Sequence, residues 1–235
     1  MILANARVRL AAADYDLVVS ALARGDPAAR ARWADRMAAE GPDPLLDDPD
    51  LLDRLRAGRS LAVPSAALFT YVAVRHTLRV AGIDDRALAD YLAALILEFS
   101  DHDRSSRAAG VDDQTYRYLI DIVSDLADEN GTGDRAFLLR VHLGNYSLWL
   151  AGLFPDYIAA RRRRAGGPDL PYYDELGRRG FALAADHALA DRYGMTGIYR
   201  AAAERFPAVR VAINRLSDRV FFPDVFTPER VLRSL

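Results

Sequence analysis

Apolar residues recur along this chain at helical spacing, while strictly alternating β-branched runs are scarce. From Leu88 through Tyr91, Leu92, Leu95, Ile96 and Phe99 the steps are 3, 1, 3, 1 and 3, which lay one stripe down a helix. A second stripe runs through Tyr116, Leu119, Ile120, Val123 and Leu126. Polar punctuation agrees with both. Asp84 and Asp85 follow Gly82 ahead of the first stripe, and Asp112 and Asp113 follow Gly110 ahead of the second. Carboxylates there suit the open N–H groups and positive dipole of a helix start. Asn130-Gly131-Thr132-Gly133 ends the second helix, and Asp134 opens a third through Phe137, Leu138, Val141 and Leu148. Pro64, Pro155, Pro171, Pro207 and Pro228 stand where helices can begin. The pattern predicts an all-α fold of roughly nine or ten helices, the first within residues 3–24 and the last after Pro228.

One stretch breaks the periodicity. Gly41 to Pro49 holds three prolines and three aspartates and reads as a connection, although Leu45 and Leu46 give it something to bury. It would divide an N-terminal helical pair, residues 1–41, from a main bundle over 60–223, within a single domain spanning 1–235. No solenoid-length repeat occurs. Arg7 and Arg9 interrupt the first apolar stretch, and no later apolar run reaches the length of a membrane span, so a cytoplasmic protein is expected.

Composition narrows the chemistry. The chain has no lysine and no cysteine, so all 31 positive side chains are arginine. Schiff-base chemistry, a phosphate-loop lysine, thiol nucleophiles, disulfides, thiolate zinc and iron–sulfur sites are all excluded. Abundant arginine, alanine, aspartate and glycine are what a GC-rich genome produces, so the missing lysine limits function without revealing it. A net charge of −2 and a pI near 6.1 provide no global field for nucleic acid.

The densest stretch is His142-Leu143-Gly144-Asn145-Tyr146-Ser147-Leu148-Trp149-Leu150-Ala151-Gly152-Leu153-Phe154-Pro155-Asp156. Arg161, Arg162, Arg163 and Arg164 follow, then Tyr172-Tyr173-Asp174-Glu175-Leu176-Gly177. Gly144 and Gly152, eight apart, share a helix face that another backbone can approach. This stretch resembles a group of bacterial helical proteins with the pattern HLGN-x-x-LW-x-x-GLFP-D, then basic residues, then YY-x-x-LG. Weaker similarity covers Tyr71 to His76 and Leu88 to Tyr91, so most of residues 60–223 are included. The resemblance implies a helical fold and no particular reaction.

Three functional readings follow. The first is a non-enzymatic protein that binds a partner protein or a small ligand between helices, with no cofactor. Its site would be His142, Asn145, Tyr146, Trp149, Tyr172 and Tyr173, with arginines at the rim. The second is an iron or manganese oxidoreductase of di-iron type. It would use Glu98, His102, His142 and His187, though di-iron bundles space glutamate and histidine three apart and need more core glutamates than this chain offers. The third is anion or nucleic-acid binding through Arg161, Arg162, Arg163 and Arg164, joined by Arg178 and Arg179, with nearby tyrosines to stack on bases. No serine lies in a nucleophile-elbow context, and Gly131-Thr132-Gly133 lacks the preceding strand of a nucleotide loop. Val220 to Phe226 is too apolar for a free tail and is expected to dock on its own helices or on a second copy in a homodimer.

Overall fold

A computed structural model describes residues 1–57, 63–100, 119–128, 133–225, 227 and 230. Among them are thirteen α-helices and no strand, so the chain is all-α. In chain order they are α1 Ala12–Ala23, α2 Pro27–Glu40, α3 Asp43–Leu46, α4 Leu51–Ala57, α5 Ala66–Val80, α6 Arg86–Phe99 and α7 Leu119–Asp128. Then come α8 Asp134–Leu153, α9 Pro155–Ala165, α10 Leu170–Ala185, α11 Ala188–Arg192, α12 Thr196–Glu204 and α13 Phe206–Leu216. The count exceeds the sequence expectation partly because α3 and α11 are too short to show a periodicity. No helix among the described residues is long and apolar enough to cross a membrane. The expected helix starts at Asp112 and Pro228 lie outside the described residues.

The described chain divides into two compact units, one of residues 4–97 and one of residues 1–3 with 98–235. The break at Gly41 to Pro49 therefore lies inside the first unit. It holds α3, whose Leu45 and Leu46 are buried.

The cap expected at Asp85 is in place, and two others accompany it. Asp85 accepts the Leu88 N–H at 2.9 Å at the head of α6, and Ser65 accepts that of Leu68 at 3.0 Å at the head of α5. Asp169 accepts that of Tyr172 at 3.2 Å to start α10. Pro155, Pro171 and Pro207 all occupy the first turn of their helices.

In the first unit the helices are tied by a buried arginine. Arg75 on α5, 1% exposed, reaches both carboxylate oxygens of Asp47 through Nε at 2.7 Å and Nη2 at 2.9 Å. Asp84 also accepts from Arg75, and Arg86 donates to Asp47 at 2.6 Å. The end of α3 is thus pinned to α5 and to the start of α6. Arg7 extends the pattern: its backbone N–H donates to Asp90 at 2.7 Å, and its guanidinium pairs with Asp43 and lies over the ring of Tyr71.

In the second unit α8 is the central element. Fourteen of its twenty residues are buried, and apolar side chains point all round it, as expected of a helix covered on every side. Its open C-terminal carbonyls are closed by distant side chains. Asn214 Nδ2 donates to the carbonyls of Ala151 and Gly152 at 2.7 Å each, and Ser217 Oγ donates to that of Leu153 at 2.7 Å. Arg210 holds Asn214 Oδ1 at 3.0 Å and Asp174 of α10 at 2.7 Å, so one polar chain joins α8, α13 and α10. After α13 a π-helical turn, Ser217–Phe221, leads into the apolar tail. The ring of Phe222 comes to 5.8 Å from Phe154, and Arg230 donates to the carbonyls of Phe222 and Val225 and pairs with Asp218 at 2.9 Å. The described tail therefore docks on its own unit.

Asp47 supplies a test. Burial pushes its carboxyl upward, but the bonds from Arg75 and Arg86 outweigh burial and hold it below the ordinary carboxylate value. A carboxyl depressed in the folded state stabilises fully above its unfolded pKa of about 3.9 and loses that contribution as pH falls through the folded value. Asp47→Ala is expected to cost about 3 kcal/mol at neutral pH, because Arg75 keeps only Asp84 as a partner. The deficit should narrow below about pH 4. Urea unfolding at neutral pH and at acidic pH checks both statements; a deficit independent of pH would show that the ion pair is not its source.

Candidate functional site

The contact of α8 with α10 depends on side chains that are missing. A Cβ on Gly180 would lie 2.8 Å from the Arg140 carbonyl and 2.8 Å from the Gly144 nitrogen. One on Gly144 would meet the Phe181 ring at 2.8 Å, and one on Gly177 would enter the Phe206 ring. The two backbones therefore touch, and residues flanking the contact converge. Gly152, expected to share this approach, instead faces Ile213 of α13.

Beside the contact is a cleft of about 290 Å³ bounded by α7, α8 and α10. Val123 and Leu126 come from α7, Arg140 and Leu143 from α8, and Leu176, Arg179, Gly180 and Leu183 from α10. Five aliphatic side chains thus form an apolar lining and two guanidinium groups stand on it, with no acidic side chain among the described residues that line it. Arg179 is exposed and makes no ion pair among the described residues. An apolar surface carrying few polar groups is also the general make-up of clefts that hold small molecules.

Of the six residues singled out as a ligand site, His142, Tyr146 and Trp149 share a chain of ring contacts, and Tyr172 and Tyr173 form a separate pair. His142 and Asn145 are buried, and the His142 ring lies 5.8 Å from Phe99 and 6.1 Å from Tyr146. Tyr146 continues to Trp149 at 6.0 Å, and Trp149 to Phe154 at 5.0 Å. Burial raises the Tyr146 phenol to about 12, with Tyr173 and Tyr157 adding to the effect. Tyr173 is buried and also raised, chiefly by burial, against the opposing pull of Arg161, which hydrogen-bonds to it. Tyr172 is exposed with its ring edge-on to Tyr173. None of the six lines the cleft, but Leu143, next to His142, does.

The arginine run closes α9. Arg161 serves Tyr173, Arg162 pairs with Asp169 at 3.0 Å, and Arg162, Arg163 and Arg164 are exposed. Arg178, grouped with them from sequence, is held by Glu175 at 2.8 Å, whereas its neighbour Arg179 belongs to the cleft.

Of the metal set, His102 lies outside the described residues. Glu98 is half-buried near the end of α6. His187 stacks on Phe137 at 5.0 Å, and its Nδ1 accepts the Leu189 N–H at 3.2 Å as the cap of α11. Among the described residues no three His, Asp or Glu side chains gather in a group suited to a metal ion.

Sequence reasoning missed Arg140 and Leu183. The available signal was an isolated arginine in Phe137-Leu138-Leu139-Arg140-Val141-His142-Leu143, where a charge must find an opening. Two other hollows are present. One of about 640 Å³ lies between α1 and α2 in the first unit, lined by Tyr15, Val19 and Met37 with the Arg30–Asp16 pair at its edge. One of about 390 Å³ lies between α10 and α12.

The helix contact that frames the cleft is testable with two alanines. Gly180→Ala must push backbone apart and is expected to cost about 1–3 kcal/mol. Gly197→Ala on α12, where a Cβ meets nothing within 4 Å, should stabilise by about 0.4–1 kcal/mol. Thermal unfolding of both variants checks this, and equal melting temperatures would mean that α8 and α10 do not touch as described. Comparison of the chain with protein-family models, with curated proteins and with solved structures found no match.

Proposed function

We propose that this protein binds a small organic ligand between the helices of its second unit, in the cleft of α7, α8 and α10. The observation that carries the reading is the lining itself: among the described residues Val123, Leu126, Leu143, Leu176 and Leu183 form an apolar surface on which Arg140 and Arg179 stand. Five aliphatic side chains gathered around an open hollow suit a largely apolar ligand. Binding rather than proton-transfer or metal chemistry is supported by the dispersal of the histidines. His142 packs among rings and His187 caps a helix.

The cleft holds about ten non-hydrogen atoms, taking the ~30 Å³ that one water occupies in the liquid as the share of each. A fused two-ring molecule such as 2-naphthol is a suitable probe. Fluorescence anisotropy should show saturable binding at a single class of site. Leu183→Trp, at the exposed rim, should fill the cleft and weaken binding by about tenfold or more, a change of roughly 1.4 kcal/mol. Undiminished binding by that variant, with its helical circular dichroism intact, would sink the reading.

A further inference from the structure

We infer that the hollow of about 640 Å³ between α1 and α2 is a binding site of the first unit, separate from the cleft proposed above, and that it takes a neutral, largely hydrocarbon molecule of about twenty non-hydrogen atoms.

The walls follow from helix geometry. Ala12, Tyr15, Asp16 and Val19 stand at steps of 3, 1 and 3 on α1, and Arg30, Ala34 and Met37 at steps of 4 and 3 on α2. Each set is one face of a helix, and each runs for about 10 Å at the ~1.5 Å rise of one residue. The volume lies within the range of about 300–1,000 Å³ usual for small-molecule pockets.

Helix α2 is the element that an occupant would stabilise. None of its residues is buried. The stripe Ala29, Trp33 and Met37 is half-buried, and Ala34 is exposed. An isolated helix of such length is marginal in water and draws most of its stability from a covered apolar face. A ligand lying over Ala34 and Met37 would supply that cover, against a wall that includes the buried Val19.

Charge selects a neutral ligand. Among the described residues the lining carries one cation and one anion, and they are already joined. Arg30 donates through Nη2 to Asp16 at 2.6 Å and through Nη1 to Ser20 Oγ at 2.9 Å. Ser20 in turn donates to the Asp16 carbonyl at 2.8 Å. A charged ligand of either sign would compete with that pair, whereas an uncharged one leaves it intact. The hollow between α10 and α12 is the contrast, because Arg178, Asp186, Arg200 and Glu204 are four of its seven described lining residues, a surface suited to water. Around α1 and α2 the remainder is alanine, valine, proline, one tyrosine and Met37, whose flexible thioether adapts to irregular apolar shapes. A molecule as small as 2-naphthol would leave about half of this hollow unfilled and is expected to bind only weakly here.

The test titrates the full chain with N-phenyl-1-naphthylamine, an uncharged three-ring molecule that brightens on leaving water, and with 8-anilino-1-naphthalenesulfonate, which adds only a sulfonate. The uncharged probe is expected to saturate one site and to bind about tenfold or more tightly than the sulfonate. Ala12→Trp and Ala34→Trp each place a large ring in the hollow from an exposed position on opposite walls, and each should weaken the uncharged probe by about tenfold or more. Ala39→Trp, exposed on the same helix but outside the lining, should leave it unchanged. Asp16→Asn, which releases Arg30, should raise sulfonate affinity by about threefold and leave the uncharged probe as it was. Undiminished binding by both lining variants, with their helical circular dichroism intact, would overturn the site. Binding lost in Leu183→Trp instead would also overturn it, by placing the probe in the cleft of the second unit. A dimer seen by light scattering that excludes the probe would give the hollow to a second copy of the chain. Tighter binding of the sulfonate by the wild type would overturn the neutral class.

Discussion

The second unit depends on the backbone contact between α8 and α10. Gly144, Gly177 and Gly180 remove the side chains that would keep the helices at ordinary distance, and Phe181 and Phe206 occupy the room so released. Everything at the candidate site follows from that approach. It sets Arg179 beside Arg140, and it leaves a hollow where α7 covers the contact with valine and leucine. Helices at the usual separation of about 8–10 Å would fill the same space with interlocking side chains and leave nothing to bind.

Charge is managed differently in the two units. In the first, arginine is used for internal ties: Arg75 is buried against Asp47, and Arg7 joins Asp43, Asp90 and the Tyr71 ring. Guanidinium suits this use because it presents several donors in a plane and keeps its charge when buried. In the second unit Arg210 has the same tying role, while Arg179 is left facing a cleft. A chain without lysine thus draws all its basic side chains, buried ties and cleft-lining groups alike, from one side-chain type.

Local features were legible in the sequence because their causes are local. Asp85, Pro155 and Pro171 mark helix starts through effects within one turn, and the stripe from Leu88 to Phe99 follows from helical geometry alone. Gly144 signalled a close approach, but the sequence could not say that Gly180 would meet it, since the two are on different helices. The ring cluster around His142 and Tyr146 was found because its members are three and four residues apart. Arg140 and Arg179 were not paired, because their proximity depends on the helix contact. Arg161 to Arg164 stood out as a run, yet two of the four are engaged with Tyr173 and Asp169, a fact that exists only in three dimensions.

The closing of α8 by Asn214 and Ser217 has a consequence in time. These side chains lie 63 and 64 residues beyond the carbonyls of Ala151 and Leu153 that they satisfy. At about 5–20 residues per second, a chain emerging from its N-terminus completes α8 roughly 3–13 s before those groups are synthesised. Until then α8 has an open C-terminal end and lacks the cover of α13. The end of α8 is therefore closed only once α13 and the turn after it have been made.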